Sequence, residues 1–221
     1  MTTVIEGAQI ASTIRRVADR LIAIADWLNQ LDAAMGDGDT GVTISKGAEG
    51  LRQHLDANPP GDDLGKWLAG VGTAFNKAAP STIAALTATA LMRAGKEARG
   101  VSALDAALLT RMLRAADEGV QERGKAKPGD KTIVDALHPA ANAFAEAIAQ
   151  DDDLRAAALA MIEASRAGRD AVIPLRSKIG RAGWVGERTE GQPDPGTVLL
   201  VQVLETIAGV EYSEPGSTLK A

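Results

Sequence analysis

Three carboxylates lie close together in the first fifth of the chain. Asp32, Asp37 and Asp39 fall within eight positions, and Gly36 and Gly38 interleave with the last two. Divalent cations such as Mg²⁺ prefer clustered oxygen ligands, and glycine lets a backbone turn sharply and approach a ligand closely. The pattern therefore predicts a magnesium site that holds nucleotide phosphates. The same residue types are typical of a turn that closes a helix, so this loop alone leaves both interpretations open.

Two other cation or phosphate motifs do not fit the chain. With Asp37 as the first position of an EF-hand loop, positions six and twelve would be Val42 and Ala48, where that loop needs a glycine and a glutamate. The pair Lys131-Thr132 has the end of a P-loop, but Asp130 replaces the glycine that must precede the lysine. No strand is predicted before it either, so a P-loop is rejected.

Composition narrows the class of protein. The 221 residues are 45% hydrophobic but only 3% aromatic, which predicts a globular protein with an aliphatic core. The chain has no cysteine, which excludes disulfides, thiol catalysis and cysteine-ligated zinc. Its net charge is −5 and it has no run of lysine and arginine, which argues against nucleic-acid binding. We find no signal peptide and no apolar stretch of membrane-spanning length, and we expect a cytoplasmic protein.

The carboxylate loop follows a strongly amphipathic segment. Apolar residues recur at alternating steps of four and three from Ile10 to Leu28, which predicts a helix over residues 8–30 that extends toward the loop. Asp32 would then lie near the C-terminal end of this helix. A carboxylate is unfavourable there unless a cation offsets the helix dipole, and this favours the metal interpretation.

The rest of the chain also reads as helices. We expect a single all-α domain of about eight helices over residues 1–210, with several loops gathered at one end of the bundle, followed by a polar tail over residues 211–221. The other predicted helices cover about 43–55, 62–75, 83–95 and 103–121, one that begins after Asp130 or Thr132, one capped by Asp151 to Asp153, a shorter one over about 168–179, and one opened by Asp194-Pro195-Gly196.

Four loops carry residue types that suit phosphate binding. Three of them are predicted to open helices, whose free backbone amides and positive dipole end attract anions. The four loops are the carboxylate loop, Pro80-Ser81-Thr82, residues 123–132 and residues 180–197. The last of these is rich in glycine and contains Arg181 and Arg188, which can neutralise a phosphate or simply remain solvated.

Three stretches resemble the nucleotide-binding L subunit of dihydroxyacetone kinases, which also occurs as the C-terminal domain of single-chain kinases. They are residues 31–41 (LDAAMGDGDTG), residues 123–137 (RGKAKPGDKTIVDAL) and residues 180–189 (GRAGWVGERT) with the DPG of residues 194–196. Their order and separations suit that family and together they span nearly the whole chain. The combination is specific, although each stretch alone is not.

The resemblance implies an antiparallel barrel of eight helices with the nucleotide, ADP or ATP, at one end. It implies two magnesium ions on Asp32, Asp37 and Asp39, and a ketose substrate held as a covalent adduct on a histidine of a separate K subunit, so that this chain would need that partner. A phosphotransferase-system protein is a further potential partner. The implied nucleotide contacts fall on Thr40, Gly41, Val42, Thr43, Ser81, Thr82, Gly124, Ile133, Arg181, Asp194, Pro195 and Gly196.

Two positions depart from the family pattern. Thr40 stands where the family commonly has histidine, which makes the loop locally similar to the N-terminal domain of fatty-acid kinases. Thr82 stands where a glycine usually follows the serine. Two alternatives to a short-ketose kinase subunit therefore stay open, namely the ATP-binding subunit of a fatty-acid-kinase-like enzyme and a non-catalytic regulatory module that binds nucleotide.

Overall fold

The computed structural model describes residues 4–220, except for the side chains of Arg181, Leu219 and Lys220. Within these residues the chain forms ten α-helices and one pair of two-residue strands. A 3₁₀ helix follows α9. The helices are α1 (Gly7–Ala23), α2 (Ala25–Met35), α3 (Thr40–Ala57), α4 (Leu64–Ala78), α5 (Thr82–Glu97), α6 (Ala106–Gly124), α7 (Val134–Gln150), α8 (Leu154–Ala171), α9 (Gly180–Val185) and α10 (Pro195–Ala208).

Eight of the helices form a closed ring. From α3 to α8 each helix packs against the next, α8 packs against α10, α10 packs against α1, and α1 packs against α3. Connections of only three residues join α4 to α5 and α7 to α8, which makes these neighbours antiparallel. The predicted all-α barrel of about eight helices is confirmed, and α2 and the six-residue α9 are additions to the ring.

Polar side chains begin several helices as the sequence predicts. Ser81 and Asp194 each accept a hydrogen bond from the backbone amide three residues further on, at 3.2 and 2.8 Å. The sequence also predicts Ser102 as the cap of the helix over about 103–121, but Asp105 caps this helix, α6, instead. The helix begins later than predicted because residues 103–104 form strand β2 (Ala103–Leu104), which pairs antiparallel with strand β1 (Ile5–Glu6).

Two predicted helices differ from the structure. The helix expected over residues 8–30 is divided at Ile24 into α1 and α2, and the second part continues to Met35. The prediction of a separate helix over residues 168–179 is wrong, because α8 ends at Ala171 and no helix covers residues 172–179. Pro174 explains this end, since proline has no backbone N–H and its ring clashes with the preceding helical turn.

The core is mainly aliphatic. Leu28, Val71 and Val198 are at most 1% exposed and belong to the larger apolar cluster. A smaller cluster around Phe144 and Ile162 joins α7 to α8. None of the described helices combines the length and the apolar character that a membrane span requires.

The segment that follows α10 packs against α8 through buried charges. Arg169 and Asp170 pair at 2.7 Å, and neither side chain is exposed. Arg169 donates to the carbonyl of Glu214 at 2.8 Å, and Asp170 accepts from the amides of Gly216 and Thr218 at 2.8 and 2.9 Å. The polar residues after α10 are therefore anchored to the ring of helices.

Candidate functional site

A cleft of about 280 Å³ lies at one end of the ring. It is bordered by the C-terminal ends of α2 and α6, by the N-terminal ends of α3, α5, α7 and α10, and by α9. The four loops with phosphate-binding residue types thus meet at one place. The residues predicted for the site that line this cleft are Asp32, Asp37, Asp39, Thr40, Thr43, Ser81, Thr82, Gly124, Ile133, Asp194, Pro195 and Gly196.

The three aspartates converge at the acidic side of the cleft. Asp32, Asp37 and Asp39 each offer one carboxylate oxygen, and these oxygens lie within 4.8 Å of one another. Asp32 is partly buried in the last turn of α2, whereas Asp37 and Asp39 are exposed. Three hard oxygen donors at this spacing, beside the negative end of a helix dipole, suit a divalent cation such as Mg²⁺. The residues present therefore fit the metal that the sequence predicts.

Glycines shape the acidic loop. A Cβ atom built on Gly36 would lie 2.6 Å from Oδ1 of Asp32, so a larger residue there would displace that carboxylate. Gly38 has a φ of +76°, a left-handed conformation that glycine adopts without steric cost. The chain can therefore turn between α2 and α3 while it keeps the three carboxylates together.

The first turn of α3 is already capped by side chains of α2. Oδ2 of Asp32 accepts from the amides of Asp39 and Thr40 at 3.0 and 3.2 Å. Oδ1 of Asn29 accepts from the two following amides, those of Gly41 and Val42, at 2.7 and 3.2 Å. These amides are therefore engaged within the protein, and of the four residues from Thr40 to Thr43 only the first and last line the cleft.

Close contact between α2 and α3 depends on Gly41. A Cβ atom built on Gly41 would lie 1.8 Å from the carbonyl oxygen of Ala25 and 2.8 Å from Oδ1 of Asn29. No side chain fits between these helices at this point. Glycine thus lets α2 bring Asn29 and Asp32 over the first turn of α3.

The loop before α7 is held by Asp135. Its carboxylate accepts from the amides of Gly129 and Thr132 at 2.5 and 2.8 Å. Asp130, one of the two caps predicted for this helix, accepts instead from the amide of Lys127 at 3.0 Å within the loop. The other predicted cap, Thr132, accepts from the amide of Val134 at 3.3 Å.

Asp194 has an unusual electrostatic environment at the start of α10. Burial of its carboxyl group, together with the nearby charge of Asp135, raises its pKa to about 7, although the hydrogen bond from the amide of Thr197 and the charge of Lys131 act in the opposite direction. The carboxyl group therefore titrates near neutral pH. A neutral Asp194 would repel an anion in the cleft less than an ionised one.

Apolar residues that pack together also line the cleft. Leu86, Val120, Ile133, Val134 and Ile179 contribute side chains from α5, α6, α7 and the segment before α9. A cleft with three clustered carboxylates and an apolar wall formed by these residues suits a ligand with a charged and a flat apolar part. A nucleotide has both parts.

Of the two arginines predicted in the glycine-rich segment, only Arg188 has a described side chain. Arg181 belongs to α9, but its side chain is outside the described part of the structure, so its predicted contact stays a prediction. Arg188 is exposed and does not line the cleft. Glu187, which precedes Arg188, pairs with Arg176 at 3.0 Å. Trp184 on α9 is 90% exposed.

Sequence reasoning missed three residues that organise the site. Asn29 lies one helical turn before Asp32, and this spacing places both on one face of α2, a signal that the sequence does contain. Asp135 in the first turn of α7 is an acidic residue at a favourable dipole position, which is a weaker signal. Lys131 was noted only in the rejected P-loop comparison, and no neighbouring residue in the sequence indicates that its side chain is buried.

Comparison with known proteins decides the family. The model of the DAK2 domain matches residues 34–209 of the chain. The chain belongs to the DAK2 domain family. Among other DAK2 proteins, the ADP-binding subunit DhaL of the PEP-dependent dihydroxyacetone kinase of Escherichia coli is 27% identical over 90% of this chain and 95% of its own length. The L-erythrulose kinase of Pectobacterium atrosepticum is 30% identical over 95% of this chain.

This DAK2 chain spans only part of several relatives. It covers 36% of the L-erythrulose kinase and 35% of the human triokinase/FMN cyclase, which is about a third of each. The crystal structure of the native dihydroxyacetone kinase of C. freundii matches 92% of the chain with a TM-score of 0.70 and 26% identity, over 34% of that protein. A structure of the same enzyme in complex with AMP-PNP and Mg²⁺ matches with a TM-score of 0.68 and 24% identity, and it shows the same fold.

Proposed function

We propose that this DAK2 chain is the nucleotide-binding subunit of a kinase that phosphorylates dihydroxyacetone or a similar short ketose. The observation that carries the proposal is the convergence of Asp32, Asp37 and Asp39 at the edge of a cleft that also has an apolar wall. The names of the relatives support the substrate class, since they include kinases of dihydroxyacetone and erythrulose. No comparable observation favours the fatty-acid-kinase-like or regulatory alternatives.

The triad would hold two Mg²⁺ ions together with the nucleotide phosphates. When bound there, Mg²⁺ would offset the negative charge that develops during phosphoryl transfer. The other role of this chain would be to position the nucleotide. Thr40, Thr43, Ser81 and Thr82 line the cleft. Their hydroxyl groups would donate to phosphate oxygens, and the apolar wall would receive the base.

The acceptor hydroxyl would come from a ketose bound to a separate K subunit. The name of the E. coli relative, an ADP-binding subunit, supports a division of labour between subunits. We assign no general base to this chain, because the substrate hydroxyl would lie on the partner. The open acidic side of the cleft, where Asp37 and Asp39 are exposed, is where the phosphate would meet that partner.

Two phosphoryl routes are compatible with this site. The subunit can exchange ADP for ATP in each turnover, or it can keep ADP as a fixed cofactor that a phosphotransferase-system protein rephosphorylates. The name of the E. coli relative, a PEP-dependent kinase subunit, supports the second route. Retention of ADP through purification would favour the fixed cofactor, and ready exchange would favour ATP turnover.

The direct test is calorimetric titration of the metal-free, nucleotide-free chain with ADP and with ATP, each with and without Mg²⁺. We expect binding of one nucleotide per chain that depends on Mg²⁺. Binding of neither nucleotide in the presence of Mg²⁺ would contradict the proposal. Phosphorylation of dihydroxyacetone after addition of a K subunit would then establish the substrate class.

A further inference from the structure

Lys131 places a positive charge in the interior of the protein, beside the cleft. The residue is 1% exposed. Its Nζ donates to the backbone carbonyl oxygens of Ile173, Leu175 and Thr189 at 2.9, 2.9 and 2.5 Å. An ammonium group has three N–H donors, so each donor has one acceptor.

All three acceptors belong to the same connection. We call residues 172–193, which join α8 to α10 and include α9, the strap. Within it, the Thr189 hydroxyl accepts from the amide of Ser177 at 2.9 Å, and the amide of Gly191 donates to the carbonyl of Ile173 at 2.9 Å. Lys131 thus joins the two arms of the strap to each other and to the loop before α7.

The strap forms one border of the cleft. Ile179, Gly180 and Ala182 line it from the strap, and Thr132 and Ile133 line it directly after Lys131 in the chain. The lysine backbone has a φ of +59°, a left-handed conformation that residues other than glycine rarely adopt and that is often retained at functional sites. One residue therefore fixes two borders of the cleft relative to each other.

We propose that Lys131 is a positioning residue of the nucleotide site, which holds the strap against the loop before α7 so that the cleft has a fixed width. This inference rests on the proposed function. A buried charge without a carboxylate in contact is costly, and an apolar side chain of similar length would fill the same space at a lower cost. The ammonium group adds directional bonds to three carbonyls, and these fix the strap in one arrangement.

The electrostatic surroundings agree with this geometry. Burial lowers the pKa of Lys131, and the negative charges of Asp194 and Glu190 act in the opposite direction. Asp194 lines the cleft at the start of α10, and Glu190 belongs to the strap.

The test compares Lys131→Met with the parent by amide hydrogen exchange and by nucleotide calorimetry. Without nucleotide, we expect the protection of the Ser177 and Gly191 amides to fall about tenfold, while buried amides of α4 keep theirs. In the presence of Mg²⁺, we expect the Kd for ADP or ATP to rise about tenfold. Unchanged exchange in the strap would overturn the inference, and so would local exchange that increases while the Kd stays the same.

Two controls separate positioning from general stability. Lys66→Met removes an exposed lysine of α4 that does not line the cleft, and it should leave both readouts within twofold of the parent. Phe144→Leu lowers stability in the distant apolar cluster and should not change the Kd. A Kd for this variant that rises as much as that of Lys131→Met would overturn the positioning role.

A second pair of variants applies if Lys131→Met does not fold. Thr189→Val removes the hydroxyl that accepts from Ser177, whereas Thr189→Ser keeps it. The valine variant should weaken nucleotide binding and the serine variant should restore it; equal affinities would overturn the role of the strap. Failure of the parent to bind nucleotide would instead overturn the proposed function. This failure can be told apart from failure of the inference on Lys131, because hydrogen exchange in the strap is measured without nucleotide.

Discussion

Single side chains in α2 carry both the charge and the geometry of the candidate site. Asp32 is a member of the acidic triad and also caps α3 through its other carboxylate oxygen. Asn29 completes that cap by accepting from two further amides. The position of the triad and the start of α3 are therefore coupled, and a change at Asn29 should affect the metal site without removing any ligand.

Substitution of Asn29 tests this coupling. Asn29→Ala leaves the amides of Gly41 and Val42 without their acceptor, and we expect a loss of about 1–2 kcal/mol in the free energy of unfolding. Asn29→Asp keeps an acceptor and should retain most of the stability, since a carboxylate is favourable at a helix N-terminus. Urea denaturation of both variants measures the difference. Equal stability of the alanine variant and the parent would show that Asn29 is not a cap.

At this scale, the sequence predicts residue types better than contacts. The spacing of the three aspartates is enough to predict that their carboxylates lie close together, because they fall within eight positions of the chain. The same information does not show that the amides of α3 are already engaged, since that depends on the close approach of α2. Lys131 could not be assigned from its neighbours in the sequence, because its partners are 42–58 positions away.

At the scale of helices, close approach of backbones decides where side chains can act. Gly41 allows α2 to contact the first turn of α3, and no Cβ atom fits at that position. Gly70, in the middle of α4, has ordinary space, since a Cβ atom would lie 3.4 Å from Nε2 of His54. Both glycines lie in helices, but only Gly41 is required by close packing, whereas Gly70 leaves room for a side chain.

A pair of alanine substitutions tests this difference. Gly41→Ala should separate α2 from α3, lower the free energy of unfolding by about 1–3 kcal/mol through overpacking and weaken Mg²⁺-dependent nucleotide binding. Gly70→Ala should raise the free energy of unfolding by about 0.5–1 kcal/mol, because alanine loses less backbone entropy in a helix. Thermal denaturation and calorimetry of both variants provide the measurements. A Gly41→Ala variant as stable as the parent would contradict the close contact.

Helices with strong periodicity and a capping residue could be predicted from the sequence, as α4, α5, α8 and α10 show. The break at Ile24 could not, because apolar periodicity continues across it and only packing separates α1 from α2. Residues 172–179, the first part of the strap, were predicted to be helical, whereas Pro174 and the bonds of Lys131 favour another path.

At the scale of the whole molecule, buried charges at the end of α8 anchor the residues after α10. Asp170 accepts from Arg169 and from two amides of that segment. Burial alone would raise the pKa of Asp170, but the bonds from Arg169, Thr218 and Gly216 lower it to about 2. The closing of the ring of helices by α10 is thus reinforced by an ionised group.

This pKa predicts how stability depends on pH. The folded value lies below the ordinary value of 3.8, so the stabilisation from Asp170 is complete above about pH 4 and is lost as the pH falls toward about 2. The loss should be about 2 kcal/mol. Asp170→Asn should be less stable than the parent at pH 7 by about 3 kcal/mol, because Arg169 would be left buried without its partner, and this deficit should shrink at low pH.

Denaturation of the parent, Asp170→Asn and Asp152→Asn between pH 2 and pH 7 measures this effect. Asp152 is an exposed residue before α8, and its substitution should leave the pH profile of the parent unchanged. A deficit of the Asp170→Asn variant that stays constant across the acid range would contradict the assignment.

The most direct test of the central claim concerns the acidic triad. Calorimetry would compare the binding of ADP, with and without Mg²⁺, to the parent, to Asp37→Asn and to Asp26→Asn, an exposed acid on α2 outside the triad. We predict that the parent and Asp26→Asn bind equally and only with Mg²⁺. Asp37→Asn should keep its helical content and lose at least about a hundredfold in affinity, the upper end of the loss seen for groups that only support a metal ligand. Mg²⁺-dependent binding by Asp37→Asn as tight as that of the parent would contradict the account.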